Sequence, residues 1–230
     1  MINVDNLYKS FESKSAQKTL VLKGLNLEIE KNKFITLMGP SGAGKSTLLY
    51  ILGMLDKADS GSITYYINDE IIKPTAFSDK RLSNFRNKEI GFIFQFYHLL
   101  PEFNAIENVM LPALIAGIKV KEAKALALEL IEKVGLLNKI NSKPNELSGG
   151  EQQRIAISRA LINKPKIILA DEPTGNLDSY NANIVVELLH KVIEDYNITM
   201  LMATHSIEIA KSTDKIIFLK DGNISSIETN

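Results

Sequence analysis

The stretch GPSGAGKST, residues 39–47, decides the fold, because it has the spacing G-x-x-x-x-G-K-[ST] of a phosphate-binding loop. The apolar run 34–38 before it predicts a buried strand, and apolar residues at helical spacing over 46–55 predict a helix after it. Glycines let such a backbone approach an anion, and the helix directs the partial positive charge of its N-terminus at the same point. We therefore expect Lys45 to contact the β- and γ-phosphates of a nucleotide and the Ser46 hydroxyl to bind Mg²⁺. The residues of the expected phosphate cradle are Gly39, Pro40, Ser41, Gly42, Ala43, Gly44, Lys45, Ser46 and Thr47.

Length and composition limit the class of protein. The 230 residues, 45% of them hydrophobic, are enough for one large domain with a sizeable core. Lys and Arg together number 27, as do Asp and Glu, so the chain has no net charge that would attract nucleic acid or an anionic membrane. The absence of Cys excludes disulfides, thiolate metal sites and Cys nucleophiles, and it suits a reducing compartment. No signal-peptide core and no run of about 18 apolar residues occurs, so we expect any membrane role to be peripheral.

The segments on either side of the loop predict β structure. Apolar and polar residues alternate over 2–7 and again over 25–30, which indicates strands with one solvent-exposed face and hence antiparallel pairing. Residues 62–67 predict another short strand. Two aromatic residues in this region, Phe11 and Tyr8, could stack on an adenine ring near the loop or could be ordinary core or surface residues.

The middle third of the chain predicts mainly helix. Residues 79–89 indicate a helix, and residues 90–94 indicate a strand that ends in Gln95. The apolar and aromatic stretch that follows is expected to be broken by Pro101 and by Pro112. Together these features predict an inserted helical subdomain.

Two further features of this region have more than one interpretation. The helix expected over about 121–134 is amphipathic, which fits packing within the subdomain or a partner-binding face. His98 lies in the apolar run 96–100, which could be a docking surface, but the histidine by itself fits an ordinary surface or core position.

The stretch LSGGEQQR, residues 147–154, predicts a capped helix. Ser148 and Glu151 have the S-x-x-E spacing of a capping box, which makes Ser148 the N-cap. Gly149 and Gly150 in the first turn reduce helix propensity. A glycine pair at a capped N-terminus is explained if the bare backbone must lie against an anion.

A pair of acids follows another buried strand. Residues 166–170, KIILA, are typical of a parallel strand, and Asp171 and Glu172 come directly after it. Ligands of open α/β sheets bind at this end of the strands, so one acid could hold Mg²⁺ and the other could polarise the attacking water. A second apolar strand, 199–203, leads to His205, which is a candidate contact of the γ-phosphate or a capping or core histidine.

The set formed by GPSGAGKST, Gln95, LSGGEQQR, IILADEP, Asp178 and His205 resembles the nucleotide-binding subunits of ABC transporters over essentially the whole chain. The resemblance implies an α/β fold, a P-loop NTPase core of the ABC ATPase type with an N-terminal antiparallel β subdomain and an inserted α-helical subdomain. It places the core at 1–95 and 165–230 and the helical subdomain, with the LSGGE signature, at about 96–164.

The resemblance also implies how the site is assembled. Two subunits form a head-to-tail homodimer around two ATP molecules, each held by the phosphate loop of one subunit and by Ser148, Gly149 and Gly150 of the other. Asp178 would contact across the dimer, and Phe11 aligns best with the aromatic residue that stacks on adenine. Many relatives have Tyr at that position, and Tyr8 is the weaker competitor.

The same resemblance implies roles in hydrolysis. Glu172 would be the general base, His205 would hold the γ-phosphate, and Gln95 would sense the nucleotide and couple it to a membrane partner. The residues implied in catalysis are Glu172, His205, Lys45 and Gln95, and those implied in holding Mg²⁺ are Ser46, Gln95 and Asp171.

Residues 91–112 and 171–182 carry a finer resemblance, to the LolD/MacB/FtsE group of ABC ATPases. They are more similar to the LolD type of lipoprotein-releasing systems than to the MacB type of tripartite efflux or the FtsE type of cell division. This implies that ATP hydrolysis drives release of lipoproteins from the inner membrane. It further implies integral membrane subunits similar to LolC and LolE, which dock near residues 95–102, and a peripheral location on the cytoplasmic face of that membrane.

Two other classes of function make different demands on the sequence. A soluble ABC ATPase acting on DNA or ribosomes would show coiled-coil insertions, tandem cassettes or a basic patch, and the sequence has none of these. A guanine-nucleotide switch would carry an N-K-x-D motif after the phosphate loop, and none follows.

Overall fold

The computed structural model describes residues 1–12 and 18–230. They form two compact units, the first of residues 1–82 and 199–230 and the second of residues 83–198. The strands in chain order are β1 (Ile2–Glu12), β2 (Lys18–Ile29), β3 (Phe34–Met38), β4 (Ser60–Ile67), β5 (Glu70–Ile72), β6 (Ile90–Phe94), β7 (Ile167–Asp171), β8 (Thr199–Ala203), β9 (Lys215–Lys220) and β10 (Asn223–Thr229). The helices are α1 (Lys45–Leu52), α2 (Asp79–Glu89), α3 (Ala105–Ile115), α4 (Val120–Lys133), α5 (Gly149–Leu161), α6 (Ser179–Tyr196) and α7 (Ile207–Lys211).

The first unit contains an antiparallel sheet with the strand order β2-β1-β4-β5. Its alternation follows the sequence, since Ile2, Val4 and Leu7 are buried, and it confirms the predicted antiparallel strands. The prediction missed β5. Asn68 and Asp69 both have positive φ, as a two-residue turn between hairpin strands requires, so the chain reverses there and pairs again instead of leaving the sheet.

The first unit also contains the strands that carry the phosphate loop. Here β3 lies between β8 and β9 and runs parallel to both, and β10 pairs antiparallel with β9. Every residue of β3 and of β8 is buried, as the predicted apolar runs require. Leu37 pairs with Ala203, so the loops that follow β3 and β8 emerge side by side.

The second unit combines two parallel strands, β6 and β7, with helices α3 to α6. Helix α5 packs on β6 and on α3, α4 and α6. The predicted helices over 79–89 and 121–134 are confirmed as α2 and α4 within one residue at each end. The bounds 96–164 of the helical subdomain stay a prediction.

The expected break at Pro112 is wrong, because α3 continues through this residue to Ile115. A proline inside a helix removes one hydrogen bond and costs stability. Burial of the apolar face of α3 outweighs that cost, since Ala105, Ile106 and Val109 are all at most 6% exposed. The helix ends within one turn of the proline.

Candidate functional site

The phosphate loop closes over its own lysine. The Nζ atom of Lys45 donates hydrogen bonds to the carbonyl oxygens of Gly39, over 2.7 Å, and Pro40, over 3.1 Å, and the side chain is buried. Helix α1 begins directly at Lys45, and its N-cap, Gly44, provides no side-chain cap and is not followed by an acid in the first turn. The first N–H groups of a helix have no partner within it, so this N-terminus can bind an anion.

Three glycines give the loop its shape, and each has positive φ. A Cβ atom at Gly39 would lie 2.2 Å from the carbonyl oxygen of Leu219, and one at Gly44 would lie 2.8 Å from Leu22. At Gly42 a Cβ atom would meet nothing within 4 Å, so this glycine lines open space. The loop therefore packs its backbone against β9 and β2 on one side and leaves space at Gly42, as a phosphate cradle requires.

His205 lies at the same edge of the sheet as the phosphate loop. It is exposed and follows β8 by two residues, and β8 runs parallel to β3. Thr204, between the end of β8 and His205, is buried, and its N–H donates to the carbonyl of Leu37. The Thr204 hydroxyl accepts the N–H of Ser206. The structure thus brings His205 beside the start of the loop, which sequence order alone could not show.

The two aromatic candidates on β1 have different surroundings. The phenol oxygen of Tyr8 lies against Gly24, where an added Cβ atom would approach it within 2.8 Å. Phe11 is 46% exposed, and the Lys9 ammonium lies 4.9 Å from the centre of its ring. Phe11 is also paired with β2 at Thr19, shortly before the β2 residues that contact the phosphate loop. These surroundings favour Phe11 as the aromatic residue available for stacking.

In the second unit, the ends of β6 and β7 bring three predicted residues together. Phe94 pairs with Asp171, so Gln95 and Glu172 follow at the same edge. Gly175 lies between these two side chains, because a Cβ atom there would lie 2.9 Å from Gln95 Nε2 and 3.3 Å from Glu172 Oε2. Glu172 has positive φ, and its carbonyl accepts the N–H of Gly175 over 3.0 Å, which forms the turn that makes this approach possible.

The N-terminus of α5 has the predicted capping box. The Ser148 hydroxyl accepts the N–H of Glu151, and the Ser148 N–H donates to the Glu151 carboxylate over 2.8 Å. This backbone hydrogen bond is the main reason that the pKa of Glu151 lies below its ordinary value. Ser148 remains exposed.

The glycine pair has a second explanation that the sequence did not reveal. A Cβ atom at Gly149 would lie 2.8 Å from the Tyr97 hydroxyl, and one at Gly150 would lie 2.4 Å from Asn181 Oδ1. Both glycines therefore make room for side chains of the same chain, in addition to any ligand that the bare backbone accepts.

Asp178 is the N-cap of α6. Its Oδ1 atom accepts the N–H of Asn181 over 2.9 Å, and its Oδ2 atom accepts the Asn181 amide over 2.7 Å. The backbone hydrogen bond is the largest cause that lowers the pKa of Asp178 from its ordinary value. The carboxylate is exposed, so its solvent-facing side remains accessible to a second molecule.

Sequence reasoning missed three residues that hold this region, namely Gln153, Asn176 and Arg159. Gln153 is fully buried, and its Nε2 atom donates to the carbonyl of Pro173 over 2.6 Å, directly after Glu172. Gln153 is spaced by four and by eight residues from the apolar Ile157 and Leu161 of the same helix, and this register on the buried face is a signal that could have indicated it. Asn176 and Arg159 contact residues more than sixty positions away, so nothing local marks them.

The predicted Mg²⁺ ligands are Ser46, Gln95 and Asp171. Within residues 1–12 and 18–230, no group of three or more His, Cys, Asp and Glu side chains is arranged to hold a metal ion. These predicted ligands include one carboxylate, and a Mg²⁺ ion in a protein usually keeps water and phosphate oxygens as its other ligands. The open cradle at Gly42, the buried Lys45 and the uncapped α1 fit a nucleotide phosphate.

Comparison with known proteins gives the family. The family model described as ABC transporter matches residues 22–175, which contain the phosphate loop, Gln95, LSGGEQQR and Glu172. This chain belongs to the ABC transporter family. Its fold is that of the family, because it superimposes with a TM-score of 0.89 on the dimeric ATP-binding cassette MJ0796, at 41% identity and over 100% of this chain and 98% of that one. The same TM-score holds, at 40% identity and the same coverage, for the dimeric post-hydrolysis state of that cassette bound to ADP and Pi.

Curated relatives match over the full length. The chain is 48% identical to the lipoprotein-releasing system ATP-binding protein LolD of Bacteroides fragilis, over 97% of this chain and 100% of the relative. It is 46% identical to the LolD protein of Pseudoalteromonas translucida, over 100% of this chain and 97% of the relative. These matches support the resemblance to an ATP-binding subunit of the LolD type. In the described part of the chain, no helix is both long and apolar enough to cross a membrane.

Proposed function

We propose that this chain is the ATP-hydrolysing subunit of a membrane complex that releases lipoproteins from the inner membrane. The observation that carries the proposal is identity of 46–48% to LolD proteins over nearly the whole length of both chains. Membership of the ABC transporter family supports ATP hydrolysis as the reaction. The sequence segment 91–112, which carries the finer resemblance, lies in the second unit and runs from β6 into α3.

The first unit is proposed to bind the nucleotide. The ammonium of Lys45 would exchange the carbonyls of Gly39 and Pro40 for phosphate oxygens, and the first turn of α1 would donate N–H groups to the same phosphates. Phe11 would stack on adenine, and His205 would contact the γ-phosphate from the neighbouring strand end. Support comes from the open cradle at Gly42, the exposure of Phe11 and the parallel pairing of β3 with β8.

The second unit is proposed to supply the hydrolytic groups. Glu172 would accept a proton from the attacking water, and Gln95 would help to position that water and the metal. Asp171, Gln95 and Ser46 would hold Mg²⁺, which when bound neutralises charge on the β- and γ-phosphates. The placement of Gln95 and Glu172 on two sides of Gly175 supports this division of roles.

We also propose that two copies of the chain act together, head to tail. Ser148, Gly149 and Gly150 would then bind the ATP held by the phosphate loop of the second copy, and Asp178 would contact that copy. Support comes from the exposed hydroxyl of Ser148 and the exposed carboxylate of Asp178, and from the dimeric state of the solved cassette with the same fold.

The membrane partner is proposed to dock near residues 95–102. Phe96 is 68% exposed, and Leu100 and Phe103 are 38% and 37% exposed, which leaves an apolar surface next to Gln95. Integral membrane subunits similar to LolC and LolE would cover this surface, and the chain would lie at the cytoplasmic face of the inner membrane.

The test is to purify tagged Glu172→Gln protein with ATP from detergent-solubilised membranes and to identify the proteins that copurify. The proposal expects a membrane subunit with a large extracytoplasmic domain, and the reconstituted complex should release lipoproteins from membranes. An efflux or cell-division partner would retain the ATPase mechanism and move the function to the MacB or FtsE type. Recovery of soluble partners alone would exclude a transporter.

A further inference from the structure

The turn that follows Gln95 has an unusual backbone. Tyr97 and His98 both have positive φ, 51° and 48°, although neither is glycine. Left-handed conformations cost free energy for residues with a Cβ atom and persist when surrounding contacts hold them. The N–H of His98 donates to the carbonyl of Phe96, which makes the reversal tight. The segment between the candidate catalytic Gln95 and the exposed apolar surface is therefore held by contacts beyond the local sequence.

Arg159 of α5 makes those contacts. Its NH1 atom donates to the carbonyl oxygen of His98 over 2.5 Å, and its NH2 atom donates to the carbonyl oxygen of Tyr97 over 2.6 Å. Consecutive residues in the same helical conformation point their carbonyls in the same direction, so the two oxygens present a pair of acceptors that matches the planar guanidinium fork. Burial lowers the pKa of Arg159 to about 10, so the group stays charged at neutral pH.

Two further contacts connect the same turn to its neighbours. The His98 ring packs edge-on against Phe94 of β6, with the ring centres 4.8 Å apart. The Tyr97 hydroxyl lies beside Gly149 in the first turn of α5, where an added Cβ atom would come within 2.8 Å. Helix α5 thus contacts the turn at both ends, through Gly149 at its N-terminus and through Arg159 near its C-terminus.

We propose that Arg159 is a positioning residue for ATP hydrolysis, which clamps the left-handed turn at Tyr97 and His98 and thereby fixes Gln95 two residues before it. The proposal rests on the proposed role of Gln95 in hydrolysis. Movement of α5 would be transmitted to Gln95 and to the exposed Phe96 through this clamp, because the guanidinium binds two carbonyls rigidly. A lysine cannot replace it, since a single ammonium lacks the fork that binds two adjacent oxygens.

A double-mutant cycle tests the clamp in the full-length chain. Arg159→Met removes the donors at similar length, and His98→Gly removes the cost of positive φ, so the turn no longer needs the clamp. With Mg²⁺ and ATP, we expect Arg159→Met to lower kcat about tenfold with KM changed less than about twofold. In the His98→Gly background, the same substitution should lower kcat only about twofold.

Asn197→Gly is the matched control for removing the cost of a positive φ. Asn197 has φ 51° at the C-terminus of α6, so glycine relieves the same kind of conformation at a residue that does not bind Arg159. The loss caused by Arg159→Met should stay about tenfold in this background. An equal loss in the His98→Gly and wild-type backgrounds would overturn the proposal, as would equal rescue by Asn197→Gly.

Two additional variants, Arg159→Lys and Gln95→Ala, address a folding failure of Arg159→Met and the proposed role of Gln95. If the Arg159→Met protein does not fold, the cycle is run with Arg159→Lys, which keeps the charge. A wild-type kcat in Arg159→Lys would overturn the proposal. Gln95→Ala tests the role of Gln95 in hydrolysis separately from the clamp. If kcat is unchanged in Gln95→Ala, the proposed role of Gln95 fails. The midpoint of thermal unfolding still reports whether Arg159 and His98 are coupled. If the shift of the midpoint in the double variant equals the sum of the shifts in the two single variants, the clamp itself is contradicted.

Discussion

Gln95 and Asn176 exchange two hydrogen bonds, since Gln95 Nε2 donates to Asn176 Oδ1 over 3.2 Å and Asn176 Nδ2 donates to the Gln95 carbonyl over 3.0 Å. This pair joins the end of β6 to the turn that follows β7, across 81 positions of sequence. Gly175, next to Asn176, separates Gln95 from the carboxylate of Glu172. The amide pair therefore holds Gln95 against the turn that begins at Glu172.

Asn176→Asp is expected to reduce ATP hydrolysis without reducing ATP binding. The carboxylate has no N–H to donate to the Gln95 carbonyl and places negative charge against it, so Gln95 should leave its position. We expect kcat to fall about five- to tenfold, as for loss of one hydrogen bond, with the Kd for ATP unchanged. Steady-state hydrolysis and equilibrium ATP binding measure the two quantities. Asn223→Asp, on an exposed position of β10, is the control, and wild-type kcat in Asn176→Asp would contradict the prediction.

Glu172→Gln is expected to bind ATP normally and to lose turnover. The substitution keeps the size of the side chain and removes the proton acceptor, so only the transition state is affected. We expect kcat to fall by at least about a hundredfold, in the range for loss of a general base, while the Kd for ATP changes less than about twofold. Glu208→Gln, on the exposed first turn of α7, is the matched control. Hydrolysis at the wild-type rate in Glu172→Gln would remove Glu172 as the base.

Gly39→Ala and Gly42→Ala are expected to separate folding from phosphate binding. Both positions have positive φ, but a Cβ atom at Gly39 collides with the Leu219 carbonyl, whereas one at Gly42 meets open space. We expect Gly39→Ala to lower the free energy of unfolding by more than about 3 kcal/mol or to prevent folding. Gly42→Ala should cost only the roughly 1–2 kcal/mol of the left-handed conformation.

The nucleotide affinity of the folded variant completes this comparison. Gly42→Ala places a methyl group in the cradle, so we expect its Kd for ATP to rise at least about tenfold, equivalent to about 1.4 kcal/mol. Denaturant unfolding and equilibrium binding provide the two measurements. Equal stability of the two variants would contradict the collision at Gly39, and wild-type affinity of Gly42→Ala would contradict the cradle.

Gly150→Ala is expected to combine a packing defect with a functional defect. The added methyl group would meet Asn181 Oδ1 at 2.4 Å, and this side chain can be removed by Asn181→Ala. We expect the double variant to recover most of the stability lost in Gly150→Ala, because the collision is gone. Its kcat should remain at least about tenfold below that of Asn181→Ala alone, if the bare backbone must lie against ATP of a second subunit. Full recovery of kcat would mean that Gly150 serves packing within its own chain.

The sequence predicted those parts of the molecule that depend on local chemistry. The phosphate loop, the capping box of Ser148 and the strand that ends at Asp171 are each specified by neighbouring residues, and the structure has the expected elements at these positions. Helix α3 shows the opposite case, because burial of its apolar face outweighs the local effect of Pro112.

The contacts around Gln95 could not be predicted, because they join residues that are far apart in sequence. Asn176 contacts Gln95 from 81 positions away, and Arg159 contacts His98 from 61 positions away. Patterns of residue spacing along the sequence do not indicate contacts over such separations. The positive φ of Tyr97 and His98 was equally hidden, since this conformation is uncommon for any residue other than glycine. Tertiary contacts impose this conformation against the local preference.

The charge of Glu151 is expected to make the stability of the chain depend on pH. The pKa of Glu151 is lowered in the folded protein, first by the backbone N–H of Ser148. A lowered folded pKa means that the stabilisation is fully present above the unfolded pKa, about 4.3, and is lost as the pH falls through the folded pKa. Glu151→Gln keeps an acceptor for the capping box and removes the charge next to the N-terminus of α5.

We therefore expect Glu151→Gln to lower the free energy of unfolding at pH 7 by about 0.3–1 kcal/mol, the contribution of a charge in the first turn of a helix. The difference between this variant and the wild type should shrink below about pH 4 and vanish once Glu151 is protonated, because both side chains are then neutral. Denaturant unfolding at pH 7, 5 and 3 measures the difference. Glu129→Gln, an exposed residue of α4, is the control, and a difference that stays constant with pH would show that Glu151 acts through packing instead of charge.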